Sequence, residues 1–410
     1  MKNNQLQKNI PEGWQELKLA SIFEFKNGLN KEKHYFGHGT PIINYTDVYK
    51  GGGLYTNTIL GRVDVNKSEL DRFNVKKGDV FFTRTSETLK EIGFSAVALD
   101  DFKDTVFSGF VLRARPKGKS LTLGYSKYYF KTHLARKEII EKSSYTTRAL
   151  TSGTSLNHVN IKLPSTPEQN RIVAVLEAWD KAIEKLRKKI EIKKEIKKGL
   201  MQDLLTGKKR LGWLKDKWES IRLGDACEMN PKSESLPNTF VYIDLESVER
   251  GNLLKENIIN LTGAPSRAQR LLRHEDIIFQ VVRPYQKNNL FFDKKGDYVA
   301  STGYAQIRAK GSARYLYYLL HTDEFVNKVI DRCTGSNYPA INCTDLSEIE
   351  IVIPTSKEEQ TAVATILTTA DNEISKLENK LSLLKDQKKY LLNNLITGTI
   401  RTPETLSINK

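Results

Sequence analysis

Two long segments of the chain carry apolar residues at alternating steps of three and four. The first segment carries Ile172, Leu176, Trp179, Ile183, Leu186, Ile190, Leu200 and Leu204, and the second carries Val363, Leu367, Ala370, Ile374, Leu377, Leu381, Leu384, Leu391 and Leu395. This spacing is typical of a heptad seam. Proline and glutamate at 167–168 suit a first helical turn, and Gly207 and Gly398 suit helix ends. We therefore predict two long helices that pack against each other, antiparallel, as a coiled coil.

Three lysines interrupt this apolar seam, Lys193, Lys197 and Lys388. A charged side chain is costly to bury without a partner. We therefore expect part of the seam to be exposed or to contact another molecule.

The segments before each helix have a different pattern. Apolar runs of four to seven residues, such as "VFFT" and "DIIFQVV", alternate with Gly, Asn and Asp turns, and a few stretches have helical spacing. Such runs are typical of short strands. We predict that each segment forms an α+β unit with a twisted, partly antiparallel sheet.

The chain contains an internal repeat, because segments of its first half recur in the same order in its second half. "GWQELKL" matches "KWESIRL", "KKGDVFFTRTS" matches "RHEDIIFQVVRPY", and "LLTGKKR" matches "LITGTIR". The Glu-Gln pair at 168–169 recurs at 359–360, an offset of 359 − 168 = 191 residues. We predict globular domains at 1–162 and 211–352, helices at 163–210 and 353–402, and a tail at 403–410. A pseudo-twofold axis would relate the two halves.

The charge of the chain indicates a polyanionic partner. Lys and Arg exceed Asp and Glu by 65 − 49 = 16, and such an excess favours nucleic acid. Three cysteines without a CxxC pair predict neither a disulfide framework nor a zinc site. The polar N-terminus and the lack of a long apolar run predict neither export nor a membrane span, so we expect a cytoplasmic protein.

The duplicated "LP…PEQNRIVAVLEAWDKAI…GLMQDLLTGKKR" and "IP…EEQTAVATILTTADNEI…YLLNNLITGTIR", with "GDVFFTR", resemble the specificity subunit of type I restriction–modification enzymes. The resemblance covers nearly the whole chain. It implies two target recognition domains, each reading one half of a split site in double-stranded DNA. The helices would be spacers that dock two methyltransferase subunits, which restriction subunits join. S-adenosylmethionine, ATP and magnesium are then expected on those partner subunits only.

The sequence contains no motif that predicts catalysis. There is no P-loop and no Asn-Pro-Pro-Tyr-like motif, which in methyltransferases holds the flipped base. "NPKS" at Asn230 is the nearest match, and it lacks the second proline and the aromatic residue. The histidines have no ligand spacing, so no metal site is expected either.

Polar residues that follow strands or lie on loops are the candidates for DNA contact, because such side chains bind base edges and phosphates. Arg84 and Arg283 stand at corresponding points of the two copies. Each candidate also fits a surface ion pair or a turn. The candidates are Arg84, Thr85, Ser86, Arg113, Arg115, Thr147 and Arg148 in the first domain, and Arg283, Tyr285, Gln286, Lys287, Arg308, Arg332, Asn337 and Tyr338 in the second.

Lysines between Lys185 and Lys198 form a basic stretch on the first helix. They fit a solvated face with interspersed glutamates, although some could contact DNA between the half-sites. Two other classes of protein stay open. One is the recognition half of a fused methyltransferase–nuclease, and the other is a basic coiled-coil protein that binds nucleic acid by charge alone. Because the two halves differ outside the scaffold positions, a specificity subunit would recognise an asymmetric site.

Overall fold

The computed structural model describes residues 10–212, 214, 217–232, 235–335 and 337–406. The chain forms two compact units, residues 1–186 with 380–410 and residues 187–379. This division passes through both long helices, so each unit contains one globular part and one end of each helix. The domain boundaries at 162, 210 and 352 stay predictions, and residues 407–410 of the predicted tail lie outside the described residues.

The first unit is built on a five-stranded, mostly antiparallel sheet. Its strands, in spatial order, are Phe23–Asn27, Val111–Pro116, Val80–Thr83, Ser95–Ala98 and Gly52–Leu54. A three-stranded sheet contains Arg62–Val63, Phe36–Ile43 and Val106–Phe107, another contains Ser144–Tyr145, Ala149–Leu150 and Thr85–Ser86, and Gln15–Lys18 pairs with Asn160–Leu163. The short helices are Leu19–Ile22, Tyr45–Tyr49, Lys67–Arg72, Leu123–Tyr129, His133–Lys142 and Gly153–Asn157.

The second unit repeats this plan with two four-stranded sheets. One contains Cys227–Met229, Tyr304–Ala309, Ile277–Gln280 and Leu290–Phe291, and the other contains Asn257–Asn260, Thr239–Ile243, Tyr298–Ser301 and Ala268–Leu271. Val248–Glu249 pairs with Asn252–Leu253, and Trp218–Arg222 pairs with Glu350–Pro354. The short helices are Leu223–Ala226, Ala313–Leu319, Asp323–Ile330 and Cys343–Ser347. The predicted α+β class with two similar units is confirmed.

The long helices span Thr166–Leu205 and Lys357–Thr397. In the first unit, Ile172 and Leu176 from the start of the first helix share a core with Leu395 from the end of the second. In the second unit, Leu204 from the end of the first helix shares a core with Val363 from the start of the second. Start packs against end in both units, so the predicted antiparallel pairing is confirmed.

The predicted seam residues face this helix–helix contact to different degrees. Five of them are buried, namely Leu176, Ile183, Ile190, Leu367 and Ile374. The other seven are half-buried, namely Trp179, Leu186, Leu200, Leu377, Leu381, Leu384 and Leu391. The seam is therefore only partly buried, with buried and half-buried positions along both helices.

The three seam lysines form ion pairs with the other helix, so their charges need no external partner, and the expected contact of the seam with another molecule stays a prediction. Lys193 Nζ lies 2.8 Å from Glu373 Oε2, and Lys197 Nζ lies 2.5 Å from Asp371 Oδ1. Lys388 Nζ forms an ion pair with Asp180. The sequence pattern of one helix could not reveal these partners because each lies on the other helix.

Each of two such pairs is completed by a tyrosine from the globular part of the same unit. Tyr128 Oη donates to Asp180 Oδ2 at 2.7 Å, and Tyr318 Oη donates to Asp371 Oδ2 at 2.7 Å. Burial tends to raise the pKa of Asp180, but the hydrogen bonds from Lys388 and Tyr128 outweigh it and hold the pKa below its usual value. These triads attach a globular helix to the seam in each unit.

The repeated glutamate at the helix entrance is a buried anchor. Glu168 accepts from Arg401 Nε at 2.6 Å and Nη2 at 2.9 Å, and from Trp14 Nε1 at 3.2 Å. Glu359 accepts from Arg210 Nη2 at 2.6 Å, with the indole of Trp218 at 3.3 Å. The motif therefore ties the helix start, the helix end and the first strand of each unit together.

The repeated glutamine fixes the loop that precedes the paired short helices. Gln169 Oε1 accepts from the Thr122 amide at 2.8 Å, and Gln360 Oε1 accepts from the Ser312 amide at 2.9 Å. Both glutamines are buried, where an unpaired amide would be costly. The Glu-Gln pair recurs because each unit needs the same two anchors.

The second unit should lose stability in mild acid through His321. Burial lowers the pKa of His321 to about 4 from 6.5, and Nδ1 lies 2.7 Å from the Tyr317 carbonyl oxygen. Because the unfolded imidazole then takes up a proton first, stability falls as the pH drops from 6.5 towards 4. At pH 5 we expect a loss of about 2 kcal/mol relative to pH 7. Urea unfolding at both pH values measures it, and His321→Gln should remove most of the difference. An unchanged pH dependence in this variant would exclude His321 as the cause.

Candidate nucleic-acid interface

Four candidates of the first unit lie on or beside one small sheet. Thr85 and Ser86 form a strand that pairs with Ala149–Leu150. Ala149–Leu150 also pairs with Ser144–Tyr145, and the turn between these two strands carries Thr147 and Arg148, both exposed. The chain thus brings together residues that are about 60 positions apart in sequence.

These side chains border a shallow cavity of about 430 Å³. It is lined by Tyr45, Thr85, Ser86, Glu87, Phe110 and Arg148. Arg148 Nη2 lies 3.4 Å from Glu87 Oε1, and both side chains are largely exposed. An exposed ion pair of this kind contributes little, so Arg148 is free to exchange Glu87 for a phosphate.

Arg84 is held inside the first unit at the edge of this cavity. Its Nη1 donates to the Gly109 carbonyl at 2.9 Å, and its amide donates to the Phe110 carbonyl at 3.2 Å. The guanidinium therefore fixes the turn at 108–111. This geometry favours a positioning role for Arg84 over the base contact predicted from sequence.

Arg113 and Arg115 are not placed for DNA contact. Arg113 is buried and donates to the Asn74 carbonyl at 2.7 Å, and burial lowers its pKa. Arg115 makes a bidentate ion pair with buried Asp79, at 2.8 and 2.7 Å. Both side chains point into the unit because residues at positions i and i+2 of a strand lie on the same face of the sheet.

Arg308 repeats this arrangement in the second unit. It donates to both oxygens of Asp276 at 2.9 Å, and Asp276 is fully buried. Sequence reasoning treated these arginines as available to bind DNA. It missed the buried aspartates, Asp79 and Asp276, that bind Arg115 and Arg308. We therefore exclude Arg113, Arg115 and Arg308 from the residues proposed to contact DNA.

The second unit exposes another set around Arg283. Arg283 lies over the ring of Tyr338 at 4.3 Å from its centroid, and its amide donates to the Pro339 carbonyl at 2.7 Å. Tyr285, Asn337 and Tyr338 are exposed. Arg283 has a positive φ of 56°, so the chain turns sharply there and carries Tyr285 out of the sheet.

The remaining candidates of the second unit are bound to their own unit. Gln286 Oε1 accepts from Gln280 Nε2 at 3.0 Å. Lys287 Nζ lies 2.6 Å from Asp323 Oδ1 and donates to the His321 carbonyl at 2.9 Å. Arg332 is exposed and donates to the Lys328 carbonyl at 3.1 Å. Of these residues, Arg332 and Gln286 keep exposed side chains that can also reach a ligand.

Sequence reasoning missed Phe110, which is 66% exposed at the rim of the first cavity. The residues predicted to contact DNA were polar side chains and tyrosines, and phenylalanine was not among the residue types considered. The signal that could have found it is the "SGF" turn before a strand, where the ring has no strand partner.

Two further features concern the residues that the structure describes, namely possible metal ligands and the "NPKS" segment. Within those residues, no group of three or more His, Cys, Asp or Glu side chains could hold a metal ion. Asn230 of "NPKS" donates to Cys343 Sγ at 3.0 Å and accepts from the Gln306 amide at 2.9 Å, so it has a structural role. Among the described helices, none has a stretch long and apolar enough to span a bilayer.

Each of the two similar α+β units carries exposed polar and aromatic side chains, namely Phe110 and Arg148 in the first and Asn337 and Tyr338 in the second. The model of the type I restriction modification DNA specificity domain matches residues 11–194 and 215–385. The two matches together cover well over half of the chain. The chain therefore belongs to the family of type I restriction modification DNA specificity domains.

Individual relatives match along nearly their whole length. The specificity subunit of the type I restriction enzyme MjaVIII from Methanocaldococcus jannaschii is 25% identical, over 96% of this chain and 94% of that protein. The type I S subunit from M. genitalium has a TM-score of 0.53 at 18% identity, covering 96% and 98%. A chain solved in work on assembly and conformational transition of the type I R-M system has a TM-score of 0.60 at 17% identity, covering 96% and 100%. The solved structures share the fold.

Proposed function

We propose that this chain is the DNA-recognition subunit of a type I restriction–modification complex and reads an asymmetric, bipartite site. The observation that carries the proposal is the pair of matched units whose exposed arrays differ. The first exposes Thr147 and Arg148, and the second exposes Tyr285, Asn337 and Tyr338. Equal scaffolds with unequal contact residues suit two half-sites of different sequence, because base edges are read by individual side chains.

The proposal includes the spacing of the half-sites. Both long helices keep a continuous pattern across about 40 residues, which spans roughly 60 Å at 1.5 Å per residue. Half-sites one turn apart on DNA are separated by roughly 34–36 Å. We propose that the helices set the length of the unread gap, and that lysines such as Lys185 contact phosphates there.

Two methyltransferase subunits are the proposed partners of the long helices. Ile192 is 60% exposed and Leu383 is 63% exposed. They are counterparts in the repeat, because 383 − 192 = 191. A single exposed apolar side chain is ordinary on a protein surface, but its recurrence at the equivalent position of both helices suits two copies of one partner.

Catalysis is assigned to the partners in this proposal. The chain would supply position only, with S-adenosylmethionine, ATP and magnesium bound by methyltransferase and restriction subunits. The complex would act in the cytoplasm. A variant of this chain should therefore change where DNA is methylated without changing the chemistry of methylation.

Ile192→Glu and Leu383→Glu should each remove one methyltransferase subunit from the complex. A carboxylate at the centre of an apolar contact must be desolvated, which costs several kcal/mol. Multi-angle light scattering of the purified complex should show two methyltransferase subunits for the wild type, one for each variant and none for the double variant. Lys385→Glu, on an exposed position of the second helix, is the control that keeps both. Two subunits on the double variant would place the partner elsewhere.

Competition binding tests the recognition role against binding by charge alone. The assembled complex is titrated with labelled DNA carrying the site and challenged with unrelated duplexes over a range of salt. Specific recognition predicts a preference of 10³-fold or more for one bipartite duplex at physiological salt. A steep salt dependence with equal affinity for all duplexes would instead support a basic coiled-coil protein that binds any nucleic acid.

A further inference from the structure

We propose that each unit stacks one exposed aromatic ring against a DNA base, Phe110 in the first unit and Tyr338 in the second, and that Arg84 and Arg283 position these rings. This inference rests on the proposed function and deepens it. Phe110 is 66% exposed and Tyr338 is 64% exposed. Exposing an apolar ring to water is unfavourable in free energy, and a ligand that covers the ring recovers part of that free energy.

Phe110 stands on a turn that cannot relax into the core. The Val111 amide donates to the Ser108 carbonyl at 3.0 Å, and the Gly109 amide donates to the Leu29 carbonyl at 2.7 Å. A Cβ at Gly109 would lie 1.8 Å from Asn30 Oδ1, so a larger residue there would have to displace the Asn30 side chain. The turn therefore holds the ring outward at a fixed place on the cavity rim.

The surroundings of Phe110 match a nucleic acid in chemistry. The same cavity is lined by half-buried Thr85, by buried Ser86 and by exposed Arg148, which pairs with Glu87. Hydroxyl and guanidinium groups bind phosphates and base edges, and an aromatic ring beside them stacks on a base. A phosphate would replace Glu87 as the partner of Arg148.

The repeat shows that the ring is an addition to the scaffold. The position that corresponds to Phe110 is Gly303, where a Cβ would lie 3.0 Å from Leu245 side-chain atoms. The second unit therefore has no room for a ring at this turn. It exposes Tyr338 instead, from the segment that pairs with the strand end at Val282.

The two arginines do not occupy equivalent positions, contrary to the correspondence predicted from the repeat. The Arg84 amide donates to the Phe110 carbonyl, and the Val281 amide donates to the carbonyl of Gly303, so Val281 is the counterpart of Arg84.

Each arginine nevertheless contacts the element that carries the ring in its own unit. Arg84 Nη1 donates to the Gly109 carbonyl at 2.9 Å, directly behind Phe110. The guanidinium of Arg283 lies 4.3 Å from the ring centroid of Tyr338.

The test measures binding of the complex assembled with its methyltransferase subunits to duplexes randomised in either half-site. Phe110→Ala should weaken binding roughly tenfold, since stacking on an aromatic ring contributes that much or more per base. It should relax sequence preference in one half-site only, and Tyr338→Ala should do so in the other. Leu60→Ala, at an exposed leucine of the first unit outside the cavity, should change neither.

The dependence on salt separates stacking from charge. Because neither ring carries charge, Phe110→Ala and Tyr338→Ala should leave the slope of log affinity against log salt unchanged, whereas Arg148→Ala should reduce it by about one. Phe110→Trp should keep wild-type affinity, and its added fluorescence should be quenched by the site. The proposal would be overturned if the emission of the Phe110→Trp complex changed on binding no more than that of the wild-type complex. It would also be overturned if Phe110→Ala relaxed the sequence preference in both half-sites.

A double-mutant cycle tests the positioning role of Arg84. If Arg84 acts through Phe110, then Arg84→Ala, Phe110→Ala and the double variant should weaken binding by the same factor. Multiplying effects would mean that Arg84 contacts DNA independently. If the wild-type complex prefers no duplex, the proposed function fails. If the wild-type complex prefers one duplex and the Phe110 and Tyr338 variants bind it with wild-type affinity and preference, only the stacking inference fails.

Discussion

Replacing Asp276 by asparagine is expected to lower the free energy of unfolding of the second unit by about 3 kcal/mol. The carboxylate is fully buried and accepts two hydrogen bonds from Arg308, one from Gln306 and one from the Arg273 amide. The Asp276→Asn variant has no negative charge at this position. Its side-chain NH2 group would replace a carboxylate oxygen and would face the donor groups that now bind that oxygen. The half-buried guanidinium of Arg308 would then lack its counterion. Urea unfolding followed by circular dichroism gives the change.

Two further variants make this prediction specific. Asp79→Asn should destabilise the first unit by a similar amount, because Arg115 and the Lys76 amide donate to it in the same way. Glu348→Gln removes an ion pair of equal length, 2.9 Å to Arg222, in which both side chains are largely exposed. That control should change stability by less than about 1 kcal/mol. Equal effects of Glu348→Gln and Asp276→Asn would show that burial is not the cause.

Inserting one heptad into both long helices is expected to lengthen the unread gap by about three base pairs. Seven residues add about 10.5 Å, and one base pair adds about 3.4 Å. Insertion after Lys188 and after Asn379 lies between the Lys388–Asp180 and Lys197–Asp371 pairs, which keep their partners in their own units. The half-site sequences should stay unchanged because the globular parts are untouched.

Methylation mapping with the altered complex measures the new site. Insertion in one helix only is the control, and it should abolish methylation because it shifts the two halves of the seam out of register. A changed half-site with an unchanged gap would contradict the proposal that the helices set the spacing.

The fold was predictable where one segment determines its own structure. The heptad spacing predicted both helices, and the repeat predicted two similar units. Antiparallel pairing followed because a chain that returns through a globular part places the start of one helix beside the end of the other. The pairing of Lys388 with Asp180 was not predictable, since 208 residues separate them and no single helix pattern contains both.

The candidate site was predictable only in part. Thr85 and Arg148 were predicted from their residue types, and the structure brings them to one cavity, although their contact with DNA stays a prediction. Arg115 and Arg308 were predicted on the same ground, but they lie within strands and buried aspartates bind them. Residue type shows what a side chain can bind, whereas the tertiary partner decides whether it is available.

A map of methylated bases tests the central claim most directly. A type I methyltransferase subunit that assembles with this chain, as proposed, is expressed in a methylation-free host, with and without this protein. The account predicts one asymmetric, bipartite motif that appears only when this protein is present. Absence of a motif in cells where the complex is shown to assemble would contradict sequence-specific recognition.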